Sequence, residues 1–166
     1  MNLFSKYYFY LISTAIIILI IGALFYAPLT GEYTFSGVDS LSPSAIKQGI
    51  SFAENKYGEY PLWMPWVFSG LPSIHSFQNI SDYYFLNYLI NVLQFFGVPI
   101  FWNYVFHFII AGMGVIAILR KLGISKHSSL YGGLSFILMP YLITMVVHGH
   151  GSQMMTMAWF PWLIWA

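Results

Sequence analysis

The residues able to do chemistry are few, and they fall in two stretches. Asp39 lies about ten residues past a long apolar run, flanked by Gly37 and Ser40, with no Lys or Arg close by to neutralise it. A carboxylate at an interface can bind a divalent ion or act as a general base, and it can also be a plain solvated loop acid. The second stretch is His148-Gly149-His150 followed by Gln153. In an extended turn both imidazoles could face one ligand, whereas on a helix they would diverge by about 200°. Catalytic zinc usually takes three protein ligands, and no third candidate lies near them in sequence. A polar turn that contacts an anionic headgroup or a substrate is therefore favoured, and no metal site is assigned. Lys47 and Lys56 could meet a phosphate, or could be solvated helix residues. His107 sits within an apolar run, where an ionisable ring faces a helix bundle's interior as a neutral, hydrogen-bonded group. His75 and His127 read as loop residues. The chain has no glycine-rich phosphate loop, no nucleophile elbow and no helical His-Glu-x-x-His pattern.

The elements that must position these groups are set by composition. With 58% hydrophobic and only 7% charged residues, the chain lies far from the quarter or so charged that a soluble domain carries. It reads as an all-α integral membrane protein, a polytopic helix bundle whose partner is the lipid bilayer. A net charge of +1, with no basic run, excludes a nucleic-acid footprint, and the absence of cysteine excludes disulfides and thiolate chemistry.

Tyr7 to Leu29 carries no charge and is long enough to cross a bilayer as an uncleaved anchor. A large loop follows over 30–99. In it Ser42 suits an N-cap and Pro43 a first helical position, with Ile46, Ile50, Ala53 and Tyr57 recurring at helical spacing up to Gly58. This predicts a helix lying on the membrane interface, apolar stripe down. Pro61 to Pro72, with two tryptophans and three prolines, predicts an irregular segment at headgroup depth. Tyr83 to Phe96 is apolar but about two-thirds of a span, so it predicts a re-entrant or interfacial helix. Further spans are expected over 100–119 and 130–147, with a fourth starting at Met154 and interrupted by Pro161. Gly112 and Gly114 point to close packing between helices. The last apolar run is short of a span, so 1–166 reads as a single transmembrane domain fragment of a longer protein.

Lys6 precedes the first span and Arg120, Lys121 and Lys126 follow the second, whereas all five acids fall in the loop region between. The positive-inside rule then places the N-terminus in the cytoplasm and puts Asp39 and His150 on the outer face.

Taken together, the early loop acid, the amphipathic helix, Leu62-Trp63-Met64-Pro65 and Phe68-Ser69-Gly70-Leu71-Pro72 resemble the N-terminal part of bacterial YfhO-like membrane proteins. Arg120-Lys121-Leu122-Gly123-Ile124-Ser125 and Gly149-His150-Gly151, with Pro161 beyond, are similar too. That family looks like the C-type glycosyltransferases. The resemblance implies a bacterial cytoplasmic membrane enzyme that transfers a sugar from a polyprenyl-phosphate carrier to a cell-envelope acceptor on the outer face. It implies Asp39 as the catalytic residue of the first outer loop, serving as metal ligand or base, while His148, His150, Gln153 and Lys47 are the candidate substrate contacts. Ser40 stands where some relatives carry a second acid, so a divalent cation is left open as cofactor. A transporter or flippase subunit and a non-catalytic envelope-assembly protein stay as alternatives, although neither inverted repeats nor charges inside the spans favour transport.

Overall fold

The computed structural model describes residues 3–33, 35, 38–73 and 84–166; for 3–6 and 38–44 it describes the backbone alone. Most of the described residues are helical. The long ones are α1 (Leu3–Leu24), which continues past a break at Phe25 into α2 (Tyr26–Thr30), and α5 (Trp102–Lys121). A third apolar stretch is split into α6 (Lys126–Ile137) and α7 (Pro140–Val147), and α8 (Gly151–Trp165) returns alongside them. Three stretches, Tyr7–Leu24, Trp102–Lys121 and Lys126–Val147, are long and apolar enough to cross a membrane.

The break between α6 and α7 has a plain cause. Pro140 has no N–H to give to the preceding turn, so the helix restarts with proline in its first turn, where that loss costs nothing. Pro161 does not interrupt α8, contrary to expectation; the helix runs through it, and the ring is buried. Space for it comes from α5. A side chain at Gly114 would meet Pro161 Cβ at 2.8 Å and the Trp162 ring at 2.9 Å, so glycine lets α8 lie close, and Trp162 Nε1–H then donates to the Ile110 carbonyl at 2.8 Å.

α5 is the central helix, packed against α8, α6 and α1. Its buried face carries Val105, Phe108 and Ala111, which meet Ile17 and Ile21 of α1, Ile137 of α6 and Met154 of α8 in one core. Gly112 and Gly133 let α5 and α6 approach backbone to backbone. A Cβ on Gly133 would stand 2.9 Å from the Gly112 carbonyl and 2.7 Å from Ile116, while one on Gly112 would meet Ile17 at 2.8 Å. The expectation that Gly112 and Gly114 lie at helix contacts agrees with this geometry, though the two face different neighbours because they are about 200° apart around α5. Hydroxyls inside these helices bond backward along the chain. Ser13 Oγ donates to the Phe9 carbonyl at 2.9 Å and Ser129 Oγ to that of Ser125 at 2.8 Å, so neither leaves an open polar group in an apolar wall.

Beside the bundle sit α3 (Val38–Tyr57), a two-residue antiparallel ladder of β1 (Trp63–Met64) with β2 (Leu71–Pro72), and α4 (Phe85–Phe95). α3 begins four residues before the expected cap, so Ser42 and Pro43 lie inside it, and it ends at Gly58 in the left-handed region as the sequence indicates. Asp39 is thus in the first helical turn, not in an irregular loop. Pro61 to Pro72 is a small hairpin, not an irregular stretch. Trp63 pairs with Pro72 and Met64 with Leu71, and the turn between places Phe68, Ser69 and Gly70 at positive φ. Trp63 lies so close over Gly70 that a Cβ there would stand 2.5 Å from its ring. Trp66 covers Gly49 of α3 at van der Waals range, and Ile50 and Ala53 are buried. The apolar stripe of α3 is therefore covered by protein along part of its length; only Tyr57, 70% exposed, fits the expected outward stripe.

Candidate functional site

The bundle has two chemically distinct ends. At one lie Arg120, Lys121 and Lys126, with Trp165 of α8 and Phe9 of α1 against them. At the other, Phe25 stacks on Phe101 and Phe108, Gly31 meets Pro99, and Gly151 lies directly against the Tyr104 hydroxyl with no room for a Cβ. α4 leads into α5 at this second end, and the His148 to Gln153 turn belongs to it.

His107 anchors a directional hydrogen-bond chain near the second end. It is fully buried; its Nδ1 lies 2.7 Å from the Asn103 carbonyl and its Nε2 2.7 Å from the Tyr84 hydroxyl. A carbonyl only accepts, so Nδ1 carries the proton and Nε2 is the acceptor. Tyr84 must then donate to His107, and Trp159 Nε1–H donates to the Tyr84 oxygen at 2.6 Å. Burial pushes the Tyr84 hydroxyl's pKa up, with the Trp159 bond offsetting part of the rise, so this hydroxyl keeps its proton across the physiological range. The neutral buried histidine expected from sequence is present, and its partners Tyr84 and Trp159 pin the start of α4 and the middle of α8 to α5. Tyr84→Phe leaves Nε2 and the Trp159 N–H unpaired, and the expected cost is about 1–3 kcal/mol for each buried orphan. A thermal melt of the variant beside Tyr88→Phe, which is 66% exposed, checks it; equal melting would mean the chain carries no stability.

Asn103 joins this chain to a cleft. The cleft encloses about 350 Å³ between α4 and the start of α5, lined by Asn87, Asn91, Gln94 and Asn103 with Tyr88 and Ile90. Asn87, Asn91 and Gln94 recur at i, i+4 and i+7, so they form one amide strip on α4. The opposite side of the same helix exposes Phe85, Leu89, Val92 and Phe95. In a soluble protein that polarity would be inverted; here the apolar side faces outward and the amides face the cleft. Asn103 is 8% exposed, and its Nδ2 has only a 4.0 Å contact to Met155 Sδ. Its Oδ1 has no hydrogen-bond partner, one of two such buried side-chain atoms among the described residues, the other being Tyr60 Oη. The lining carries no formal charge.

The nominated residues distribute as follows. His148 ends α7 and is exposed, its Nδ1–H donating to the Thr144 carbonyl at 3.0 Å; Gly149 at φ 91 turns the chain, and half-exposed His150 leads α8. Gln153 is exposed in the first turn of α8. These three share one turn. Lys47 is exposed on α3, a separate element that also carries Asp39, whose side chain lies outside the described residues, as do His75 and Asp82. Lys56 is spread over the Phe52 and Tyr57 rings at 5.8 and 5.3 Å, a surface cation–aromatic cluster. His127 is not a loop residue but lies in α6, whose first turn is capped by Ser125 Oγ accepting from Ser128 N–H at 3.2 Å. Among the described residues no three His, Asp or Glu side chains gather as a metal site.

The amide strip was missed in the sequence, although its i, i+4, i+7 spacing inside an apolar helix was a readable signal. The partners of His107 were not readable, because Tyr84 and Trp159 lie 23 residues before and 52 after it. Comparison with known proteins gives no matching family model, no matching curated protein and no matching solved structure.

Proposed function

We propose that this chain is embedded in a bacterial cytoplasmic membrane and handles a lipid-linked sugar at the outer face, transferring it from a polyprenyl-phosphate carrier to an envelope acceptor. The observation that carries the reading is the uncharged, amide-lined cleft at the end of the bundle away from Arg120, Lys121 and Lys126. Each amide both donates and accepts, which complements sugar hydroxyls, and the Asn103 oxygen supplies an acceptor that the fold itself leaves unused. The apolar outer side of α4 would let a lipid tail stay in the bilayer while its headgroup enters the cleft. In this account Asp39 acts as the base on the acceptor hydroxyl, and His148, His150, Gln153 and Lys47 are the polar groups available to the carrier phosphate. The divalent cation left open as cofactor is tested by measuring transfer of a labelled polyprenyl-phosphate sugar in membranes with and without chelator.

The orientation is tested by cysteine labelling in intact cells, which the cysteine-free chain makes clean. A cysteine at Ser152 should react with a membrane-impermeant reagent and one at Ser125 should not, because basic connections stay inside. The reverse pattern would put the cleft on the cytoplasmic side and remove the outer-face assignment. A flippase would use the same cleft without needing an acid, so loss of transfer in Asp39→Asn separates the two activities.

A further inference from the structure

We propose that Asn103 determines specificity in the amide cleft, its carboxamide reading a pair of adjacent hydroxyls on a neutral sugar. The inference rests on the sugar reading above and deepens it, because the ligand narrows from any lipid-linked sugar to one with two neighbouring free hydroxyls and no charge. Asn103 lies in the first turn of α5, two residues from buried Phe101 on one side and buried Val105 on the other, and it lines the cleft of about 350 Å³. Packing and helix propensity both favour an apolar residue there. The position holds instead an amide that the fold hardly uses. Its Oδ1 is buried without a hydrogen-bond partner among the described residues, and its Nδ2 reaches Met155 Sδ at 4.0 Å, a weak acceptor. Turning the amide over exchanges its two ends and leaves one of them unpaired in either orientation. The backbone that carries it is fixed. The Asn103 carbonyl accepts from His107 Nδ1–H at 2.7 Å, and the Tyr84 hydroxyl, itself bonded by Trp159, holds the other side of that ring. A spare donor and a spare acceptor are therefore mounted on a rigid turn.

A carboxamide presents that donor and acceptor side by side in one plane. Hydroxyls on neighbouring ring carbons of a sugar complement it, one donating to Oδ1 and the other accepting from Nδ2–H. An isolated hydroxyl satisfies one end only, and a carboxylate, which only accepts, leaves Oδ1 without a donor. The lining carries no formal charge, so an acidic sugar would also bury its charge unpaired. Because Oδ1 is buried, the sugar reaches it by displacing α4. Ile90 is the one buried residue of that helix, which packs mainly against α5, and Gly97 at φ 82 follows its end with open space around it. A wall held by so little apolar contact opens at low cost.

The test titrates the full chain in nanodiscs with polyprenyl phosphate bearing glucose or galactose, with the 3-deoxy counterpart of each, and with the bare carrier. The hydroxyl removed is the middle one of the ring and belongs to both adjacent pairs, so the 3-deoxy sugars keep none. The wild type should bind at least one parent sugar about tenfold or more tightly than its 3-deoxy form, and Asn103→Leu should bind the two within about twofold, its affinity for the bare carrier unchanged. Should Asn103→Leu fail to fold, Asn103→Ala, which removes the amide without adding bulk, takes its place, and the wild-type comparison needs no variant. Wild-type binding of both 3-deoxy sugars as tight as that of their parents, or full discrimination retained in the variant, overturns the proposal and leaves the sugar reading in place. Binding of every sugar-bearing lipid no tighter than that of the bare carrier overturns the sugar reading and this inference with it.

Discussion

Asp39→Asn is expected to reduce transfer of a lipid-linked sugar by about a hundred- to ten-thousand-fold, the usual contribution of a positioned general base. Asparagine keeps the shape and a hydrogen-bonding oxygen but cannot take a proton, so expression, folding and topology should be unchanged. Glu32→Gln provides the comparison. Glu32 is exposed next to Gly31, at the end of α2, and its amide variant should keep near-normal transfer. Measured in membranes with a labelled polyprenyl-phosphate sugar, near-normal transfer by Asp39→Asn would make Asp39 a solvated acid in the first turn of α3. The chemistry would then lie in the His148 to Gln153 turn or beyond Ala166.

The largest effect on folding is expected at Gly133. A leucine there has to displace Ile116 on one side and the Gly112 carbonyl on the other, and a backbone carbonyl in a helix cannot move aside as a flexible side chain can. Overpacking in a close-packed core costs about 1–3 kcal/mol, and a site closed by backbone falls at or above the upper end. Gly133→Leu should therefore lose most folded protein in detergent, with a lower melting temperature in what remains. Gly112→Leu should cost less, because the first atom it meets is the Ile17 Cδ1 terminus, which can rotate away. Ser135→Leu, two residues along α6 and exposed, should melt like the wild type. Equal yields for Gly133→Leu and Ser135→Leu would show that the α5–α6 contact is looser than the described packing.

The helical segments were legible because each is specified locally. Runs of uncharged residues marked α1, α5 and the α6–α7 pair, and Gly58, Gly97 and Gly123, all at positive φ, sit where three helices end. α4 was legible as a helix too short to span, though Phe85–Phe95 is about 16 Å long, nearer half of a bilayer core than the two-thirds expected. Pairings between distant residues were not. The hairpin over Pro61–Pro72 depends on cross-strand register, and prolines argue against strands unless they sit at an edge, where Pro72 in fact lies. Pro161 misled for a related reason. Proline removes one bond from α8, but Gly114 on another helix makes room for the ring, and no reading of α8 alone contains that information. At the candidate site the polar residues nominated from spacing fall on two separate elements, whereas the amide cleft is built where α4 folds back onto α5.

The central claim is that the amide cleft holds the sugar of a lipid-linked donor, and binding measures it most directly. The full chain in nanodiscs is titrated with a polyprenyl-phosphate sugar and with the same polyprenyl phosphate lacking the sugar, for wild type and for Asn91→Leu/Gln94→Leu. Both substituted residues are exposed, so the variant is expected to fold. With hydrogen bonds contributing about 0.5–1.5 kcal/mol each, several amide contacts predict that the wild type binds the sugar-bearing lipid at least about tenfold more tightly than the bare carrier. The variant should lose most of that difference while its affinity for the bare carrier stays the same. Equal binding of the two lipids by the wild type, or a preference untouched by removing two amides, would contradict the claim.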